Sequence, residues 1–462
     1  MKKFILLFFS LLALELQAQN THCPTVLSPE NLQWLRGFQQ QLDQNGLPAA
    51  RLGTVYVPVK VHIVGNNEGK GYYSVSSLMQ AMCDLNADFE PAGMHFYLAG
   101  DIDYINDNAL YVGNSDAIWF RSEDYKDPRA VNVFFHGAGN QWCGVYFPGV
   151  DVVFVLNSCQ GPNATTLTHE LGHFFSLPHT FSGWENDNVP SNIERLDGSN
   201  CRNAGDGFCD TKADYVSMRW GCPLAWNLKD PAGAFFKPDS SIYMSYSSDN
   251  CQSRFSQEQM AAMNANLNNR SISKATADTR ILPEPKKRFP LNGSQNQNPE
   301  AVLLEWEAVP GAFAYQVQVA RFGDWNFLNY DALVFDTTAV VKLFGTWEYA
   351  WRVKAITAAN TCGSFGAADT FSTKAVPAGI VQLEPDMPIA VYPNPVSINE
   401  KVWLKVKQKT VLSLSDVNGK VLQSLVLEPN EPYQLQLPEV GVYFLLLQQE
   451  QGLKVKKLMV RY

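Results

Sequence analysis

Residues 168–181 read THELGHFFSLPHTF, and this stretch decides the fold of the N-terminal half of the chain. An α-helix completes a turn every ~3.6 residues, so His169 and His173 fall on one face about 6 Å apart along the axis. Both imidazoles can then reach a single ion. Glu170 is rotated away by ~100°, and from there it faces a molecule bound to the ion rather than the ion itself. The spacing therefore predicts a helix that carries a metal-binding pair.

A third histidine follows the predicted helix. Pro178 stops the helix, because proline lacks a backbone donor and disfavours helical geometry before it, so the chain must turn and can return His179 as a ligand. Three neutral histidines leave a zinc ion with its full double charge and an open position for water. The alternatives are a structural zinc site or isolated surface imidazoles. A structural site needs a fourth protein ligand, and none stands nearby at the usual spacing.

The charge of such a zinc ion predicts hydrolysis. Zinc lowers the pKa of bound water towards ~7, and Glu170 can take the proton while the water attacks a polarised peptide carbonyl. The same carboxyl group can later deliver the proton to the leaving amine. The pattern therefore indicates a hydrolase of peptide bonds in protein or peptide substrates. The alternative for Glu170 is an exposed helical glutamate without a catalytic role.

Two further blocks stand downstream of the histidines. Residues 199–211 read SNCRNAGDGFCDT, and residues 241–246 read SIYMSY. Together with the histidine motif they resemble the pappalysin family of metzincins, particularly its cytophagalysin branch, over roughly residues 57–266. The resemblance implies a secreted zinc endopeptidase with an α+β catalytic domain, a mixed sheet with the active-site helix. It also implies that Met244 is an apolar floor beneath the zinc and that Tyr246 supplies the hydroxyl that stabilises the oxyanion.

The chain departs from the family pattern at two positions. Ser176 stands where the family usually has glycine, at the turn before His179, and if that turn needs a positive φ the serine costs on the order of 1–2 kcal/mol. Ile242 stands where asparagine is common, two residues before Met244, which puts a supporting hydrogen bond in doubt. Neither change removes a zinc ligand or Glu170, so we expect activity to survive.

The nine cysteines predict a set of disulfides in an exported protein, although the sequence does not establish their connectivity. The expected pairs are Cys222 with Cys251, which matches a family disulfide by position, Cys201 with Cys209, and Cys143 with Cys159. Cys83 falls at an apolar position of a predicted helix, where a buried free thiol is the default. Cys362 has no obvious partner.

Cys23 can be interpreted as a residue that keeps the enzyme latent. Residues 21–25 read THCPT and loosely resemble the R-x-C-G-T segment of related proenzymes. A thiolate there can occupy the open zinc position and displace the catalytic water, which would keep the enzyme latent. The alternatives are a Cys23–Cys83 disulfide or a free cysteine without this role.

An acidic loop region follows the third histidine. Asp187, Asp206 and Asp210 lie in it, and relatives in the family bind calcium in comparable loops. Carboxylates combined with backbone oxygens suit that ion. The alternative is a solvated acidic loop.

The N-terminus has the layout of a signal peptide. A positive start at residues 1–3 precedes an almost continuously apolar run over residues 4–14, which is too short to span a membrane at ~20 residues. We expect a signal peptide over residues 1–18, a pro-segment over residues 19–50 and no integral membrane span in the mature protein. The formal charge of −9 argues against general nucleic-acid binding, which requires a basic face.

The C-terminal part alternates polar and apolar residues with a period of two, which is typical of antiparallel strands. The series LLEW (303–306), YQVQV (315–319) and YAWRVKA (349–355) resembles a fibronectin type III domain, which most often serves as a spacer or weak binding surface. Further on, YPNP, DVNGK, GVY and a lysine-rich final strand resemble the C-terminal sorting domain of the type IX secretion system. That resemblance implies passage through this secretion machinery, followed by release or anchoring at the cell surface.

The chain is therefore predicted to be multidomain, with an α+β metzincin domain and two small all-β sandwich domains. The predicted boundaries are 51–272 for the zinc metalloprotease domain, 273–287 for a linker, 288–376 for the fibronectin-like domain and 384–462 for the sorting domain. The leading function is a secreted zinc metalloendopeptidase. Its rival is a cell-surface adhesin or binding protein with an inactive metzincin-like domain, and the retained Glu170 favours the enzyme.

Overall fold

The computed structural model describes residues 23–49, 53–139, 142–185, 189–223, 227–272, 276–374, 389–392, 396–397, 401–416, 421–437, 441–449 and 452–461. Contacts divide these residues into two units. The first unit contains the described residues of Met1–Tyr73 and Ser77–Thr276. The second unit contains the described residues of Ser74–Ser76 and Ala277–Tyr462. The predicted signal peptide and Asp187 lie outside the described residues. The domain boundaries drawn from the sequence stay predictions.

Helices and short strands alternate along the N-terminal part of the chain. The helices are α1 (Pro29–Asn45), α2 (Val75–Phe89), α3 (Asn108–Tyr111), α4 (Ser115–Arg121), α5 (Thr166–Phe174) and α6 (Gln257–Asn269). The strands are β1 (Val55–Gly65), β2 (Met94–Leu98), β3 (Asp103–Asn106), β4 (Val131–His136), β5 (Gly144–Phe147), β6 (Val152–Leu156), β7 (Leu228–Lys229) and β8 (Phe235–Phe236). Among the described helices, none is both long and apolar enough to cross a membrane.

A mixed sheet forms the centre of the first unit. Its strand order is β2-β1-β4-β6-β5, and β3 also pairs with β1. The pairs among β1, β2, β3, β4 and β6 are parallel, whereas β5 is antiparallel to β6 and lies at the edge. All residues of β4 and β6 are buried, as expected where both faces of a parallel sheet are covered. The predicted mixed sheet is confirmed.

Helix α5 lies against β5 and β6. Its residues from Leu167 to Phe174 are all buried. A helix buried on every side belongs to the interior of a domain rather than to its surface. The predicted metal-binding helix is therefore a core element, and its polar side chains have to find partners inside the protein.

The second unit consists of two β-sandwiches. Its strands are β9 (Lys287–Phe289), β10 (Ser294–Gln297), β11 (Val302–Trp306), β12 (Ala314–Arg321), β13 (Leu328–Val334), β14 (Thr338–Val341), β15 (Glu348–Ile356), β16 (Asp369–Thr373), β17 (Ile389–Tyr392), β18 (Val396–Ser397), β19 (Val402–Val406), β20 (Thr410–Ser415), β21 (Val421–Leu427), β22 (Tyr433–Leu435), β23 (Gly441–Gln449) and β24 (Gly452–Arg461). The first sandwich pairs the sheets β10-β16-β15-β12-β13 and β14-β11-β9, around Trp306 and Trp351. The second pairs β17-β19-β22 with β18-β24-β23-β20-β21, around Leu404 and Leu445. Both predicted all-β modules are confirmed.

Three disulfides lie within the first unit, and they join the cysteines that the sequence paired. They are Cys143–Cys159, Cys201–Cys209 and Cys222–Cys251. Cys83 and Cys362 are also disulfide-bonded, so the expectations of a free Cys83 thiol and of a Cys362 without a partner are wrong. Helical periodicity indicates which face of α2 is apolar, but it does not say which side chain lies across from that face.

Candidate metal centre and active site

Helix α5 places two of the predicted zinc ligands side by side. The Nε2 atoms of His169 and His173 are 3.1 Å apart, and both side chains are buried. This is the geometry expected for residues one helical turn apart. The helix therefore presents two imidazole nitrogens to one point in space.

The turn after α5 depends on Ser176. Its φ is 70°, in the left-handed region that favours glycine, as expected if this position needs a positive φ. The Ser176 N–H donates to His173 O at 2.8 Å, and the Leu177 N–H donates to Gly172 O at 2.9 Å. These two hydrogen bonds are those of a Schellman motif, which ends the helix sharply. The Ser176 hydroxyl accepts a hydrogen bond from Asn266 Nδ2 at 2.9 Å, which stabilises the serine in this turn.

The turn brings the third histidine back to the first two. The Nε2 atom of His179 lies 3.1 Å from that of His173. The ring of His179 stacks on Phe181, with centroids 4.6 Å apart. Three imidazole nitrogens thus converge on one buried point.

The opposite ring nitrogens of the histidines face acceptors. His169 Nδ1 lies 2.7 Å from Tyr243 O, His173 Nδ1 lies 2.7 Å from Leu177 O, and His179 Nδ1 lies 3.4 Å from a carboxylate oxygen of Glu185. These acceptors assign the proton to each Nδ1 and leave Nε2 with a lone pair, the usual arrangement of metal-bound histidines.

The protonation of the two helical histidines and the geometry of all three rings fit a bound cation. Burial lowers the pKa of His169 to about 4 and that of His173 well below its ordinary value, so these two rings are neutral near pH 7. Neutral imidazole is the form that binds metal. The His173 Nε2 lone pair lies 3.1 Å from the Nε2 atoms of both other histidines, and such lone pairs repel one another unless a cation lies between them, so the residues fit a zinc ion.

Cys23 lies at the same point. Its sulfur and one ring nitrogen from each of the three histidines lie within 4.8 Å of one another. The side chain is buried and its thiol is free, so the alternative of a Cys23–Cys83 disulfide is wrong. Cys23 therefore stands where a fourth ligand would complete a tetrahedral site.

Glu170 is buried beside these ligands. Its Oε2 lies 3.3 Å from Cys23 Sγ and accepts a hydrogen bond from Thr25 Oγ1 at 3.3 Å. Burial raises the pKa of Glu170 to about 8, a value suited to a group that takes up and returns a proton near neutral pH. Gly144 on β5 makes room for the carboxyl group, because a Cβ there would lie 2.6 Å from Glu170 Oε1.

Tyr246 contacts the backbone of Cys23. The Cys23 N–H donates to the tyrosine oxygen at 2.6 Å, and the tyrosine hydroxyl donates to Cys23 O at 2.7 Å. The hydroxyl to which the family resemblance gives the oxyanion role is thus hydrogen-bonded to the segment that carries Cys23.

Met244 lies directly behind the metal-binding helix. It is fully buried, and a Cβ on Gly172 would collide with its sulfur. The Met244 carbonyl accepts a hydrogen bond from the Thr180 N–H at 3.1 Å. The turn around it is closed by the Ser245 N–H, which donates to Ile242 O at 3.1 Å, so the backbone holds this turn although no asparagine stands at position 242.

The acidic loop holds residues that the sequence analysis did not single out. Glu194 and Asp214 are buried there together with Asp206. Glu194 Oε2 and Asp206 Oδ2 have no hydrogen-bond partner among the described residues. Asp210 instead accepts the N–H of Glu258 at the start of α6, at 2.8 Å. No local sequence pattern predicts a buried glutamate without a partner, because its burial depends on the path of the loop in the folded chain.

Comparison with known protein families finds a match in each half of the chain. Residues 106–268 match the peptidase M43 family model, described as pregnancy-associated plasma protein-A, and residues 390–461 match the secretion system C-terminal sorting domain. Residues 106–268 form a pappalysin domain. Helix α5, all three histidines and Met244 lie inside this range, whereas Cys23 lies outside it.

The chain is also similar to curated extracellular metalloproteases and to solved structures. An extracellular metalloprotease of Colletotrichum graminicola is 28% identical over 267 residues, covering 53% of this chain and 86% of the relative. One from Pyricularia oryzae is 28% identical over 242 residues, covering 48% and 78%. Among solved structures, a promirolysin variant from Tannerella forsythia has a TM-score of 0.39 and 19% identity, covering 53% of this chain and 92% of that one.

Proposed function

We propose that this chain is a secreted zinc metalloendopeptidase, made as a latent precursor. The convergence of three buried imidazole nitrogens within 3.1 Å contacts, beside the buried carboxyl of Glu170, carries the proposal. The pappalysin family and its extracellular metalloprotease relatives support a protease. The sorting domain supports a secreted or cell-surface location. These findings do not favour the alternative of an adhesin.

The proposed mechanism gives each residue one task. His169, His173 and His179 would hold a zinc ion, which when bound would acidify a water molecule and polarise the peptide carbonyl. Glu170 would accept a proton from the attacking water and return it to the leaving amine. The Tyr246 hydroxyl donates a hydrogen bond to the developing oxyanion.

Two other parts of the domain complete this mechanism. Met244 lies behind α5 and fixes the floor of the site, since its sulfur fits against Gly172. The edge strand β5 offers its backbone to an extended substrate chain, as edge strands do when they bind peptides.

Latency is proposed to rest on Cys23. Its sulfur lies among the zinc ligands, and its backbone holds the hydroxyl of Tyr246. The segment therefore blocks both the water position and the oxyanion donor. Cleavage of the pro-segment would release both groups at once.

A digestion assay tests the proposed function. The purified, processed protein is incubated with casein or gelatin, with and without a chelator, alongside a Glu170→Ala variant. We expect cleavage that the chelator abolishes and that Glu170→Ala lowers by several orders of magnitude, because general acid–base catalysis and the activation of water both depend on this carboxyl group. Zinc-replete protein that cleaves neither protein nor a broad peptide library would support the adhesin.

A calcium ion is proposed for the acidic loop. Glu194 Oε2 and Asp206 Oδ2 are buried carboxylate oxygens without a hydrogen-bond partner among the described residues, and such groups are costly unless a cation or proton compensates them. A Cβ on Gly205 would collide with the carboxylate of Glu194, so glycine keeps the space around this oxygen open. Isothermal titration of metal-depleted protein with calcium tests the proposal, with Glu194→Gln as the variant expected to lose binding.

A further inference from the structure

A carboxylate outside the metal centre has no task in the proposed mechanism. Asp88 lies near the C-terminal end of α2, and each of its two oxygens accepts one hydroxyl hydrogen bond. Thr168 Oγ1 donates to Oδ2 at 2.5 Å, and the Tyr243 hydroxyl donates to Oδ1 at 2.7 Å. Thr168 and Tyr243 are both buried. The carboxylate therefore joins helix α5 to a segment that lies far from it along the chain.

His169 stands between these two segments. Thr168 directly precedes it on α5, and its Nδ1 lies 2.7 Å from Tyr243 O. Asp88, Thr168, His169 and Tyr243 thus form a closed ring of covalent bonds and hydrogen bonds. The orientation of a metal-bound imidazole is set by the acceptor that its other ring nitrogen faces. The ring therefore holds both the helix that carries His169 and the carbonyl that orients its imidazole.

Tyr243 depends on its side chain for its position. Residues 241–246 lie outside the helices and strands of the domain. The ring of Tyr243 packs on Phe255 with centroids 4.8 Å apart, and its hydroxyl ends at Asp88. Without this carboxylate the buried hydroxyl loses its acceptor, which is costly, so the side chain would have to move to find another. The carbonyl that faces His169 belongs to the same residue and would move with it.

Thr168 is held by the same carboxylate from the side of the helix. A threonine inside a helix can donate its hydroxyl hydrogen to a backbone carbonyl one turn earlier. A hydroxyl group has a single hydrogen, and that of Thr168 points to Asp88. The contact therefore fixes the rotation of α5 about its axis at the residue before His169. Asp88 lies outside residues 106–268, so the family match assigns it no role.

We propose that Asp88 is a positioning residue for the zinc ligand His169 and acts through Thr168 and Tyr243. The proposal rests on the zinc site of the proposed peptidase. The other two histidines direct Nδ1 at different acceptors. Loss of Asp88 should therefore displace one of the three ligands and leave the remaining two in place.

The test compares how tightly and in what geometry the full chain binds metal. Zinc affinity is measured by competition with a chromophoric chelator, and ligand geometry by the visible absorption of cobalt-substituted protein. Asp88→Ala should lower zinc affinity by about tenfold or more, as expected when a partner that orients a ligand is removed, and should shift the cobalt bands. Asp88→Asn keeps one acceptor oxygen and should lie between the alanine variant and the wild type.

A second variant tests the route of the effect. Tyr243→Phe removes the hydroxyl that links the carbonyl to Asp88, so it should lower zinc affinity and shift the cobalt bands in the same direction. When it is combined with Asp88→Ala, the loss should be smaller than the sum of the two single losses, because both changes break the same ring. Fully additive losses would overturn the proposed route through Tyr243.

Asp107→Ala provides a matched control. Asp107 is also a partly buried aspartate that accepts two hydrogen bonds, from the N–H groups of Ala109 and Leu110 at 2.8 and 3.1 Å, and it caps α3. Its removal disturbs the fold through a lost helix cap rather than through the ring around His169. Zinc affinity and the cobalt spectrum should stay unchanged. A spectral shift equal to that of Asp88→Ala would overturn the positioning role.

The remaining outcomes separate this proposal from the peptidase function. Casein cleavage by the processed forms is measured beside metal binding. If Asp88→Ala, or Asp88→Asn where the alanine variant does not fold, binds zinc and cobalt as the wild type does, the positioning role is overturned while casein cleavage still supports the peptidase. If wild-type protein binds zinc without cleaving casein, the peptidase function fails, and weaker binding by the Asp88 variants still supports the positioning role. Wild-type protein that binds no zinc overturns both.

Discussion

The turn between the second and third histidines allows a quantitative test of how the site is built. Two opposing contributions to the free energy of unfolding act at Ser176. Its φ of 70° costs a residue with a side chain about 1–2 kcal/mol relative to the right-handed region. Its hydroxyl accepts a hydrogen bond from the buried Asn266 at 2.9 Å, and loss of this acceptor leaves a buried donor unpaired at a cost of about 1–3 kcal/mol.

Two substitutions at this position separate the two energies. Ser176→Ala keeps the backbone strain and loses the hydrogen bond, so we expect destabilisation by about 1–3 kcal/mol. Ser176→Gly also loses the hydrogen bond but relieves the strain, while glycine raises the entropy of the unfolded chain. The glycine variant should therefore be more stable than the alanine variant by about 1 kcal/mol.

The assay is calorimetry of the zinc-loaded protein, in which the transition that zinc shifts reports the pappalysin domain. A difference of 1 kcal/mol corresponds to roughly 2–4 °C in Tm for a domain of this size. The matched control is Ser199, an exposed loop serine without a positive φ, where glycine should be less stable than alanine. If glycine and alanine keep the same order at Ser176 as at Ser199, the reasoning on backbone strain is refuted.

Three further predictions concern latency, calcium and the general base. Cys23→Ala should give activity in the unprocessed form, measured as casein cleavage before pro-segment removal, and a fully latent variant would contradict the role of Cys23. Burial raises the pKa of Glu194 to about 8, so the stabilisation from its protonated form is complete below about pH 4.5 and is lost as the pH rises towards 8. The Tm of calcium-free protein should therefore fall as the pH rises over that window, and added calcium should restore the Tm at the upper end. Glu194→Gln should weaken both the pH response and the calcium response. A Glu194→Gln protein with the wild-type pH dependence would show that this carboxyl group does not cause the change in stability. Gly144→Ala places a Cβ 2.6 Å from Glu170 Oε1 and should lower kcat by about tenfold or more while zinc content is unchanged, since it displaces the base and not the ligands; an unchanged kcat would show that Glu170 can move without loss.

The sequence could predict the parts of the site that lie close together along the chain. The spacing of His169 and His173 fixes their shared face once a helix forms, because helical geometry is local. The stop at Pro178 predicts a turn, and the family pattern at Ser176 predicts a strained one. The period-two alternation of the C-terminal half predicts strands for the same local reason, and the structure folds them into two sandwiches.

Other features depended on contacts between distant segments. The sequence suggested Cys23 as a zinc ligand only through a loose resemblance to related proenzymes. It did not predict the contact between Cys23 and Glu170, because 147 positions separate them and only the path of the folded chain closes that distance. It misjudged Cys83 for a similar reason, since a disulfide needs a partner that periodicity does not reveal. It also overlooked Glu194, whose burial depends on how the loop folds.

By itself, the sequence determined the chemistry available to this protein: three histidines, one glutamate and their helical register. The tertiary structure alone decided how the more distant groups meet: the Cys23 sulfur lies 3.3 Å from Glu170 Oε2, and the Tyr246 hydroxyl donates a hydrogen bond to Cys23 O. The physical reason is that local backbone geometry is set by a few neighbouring residues, whereas the burial and pairing of charges are set by packing between segments that lie far apart in the chain.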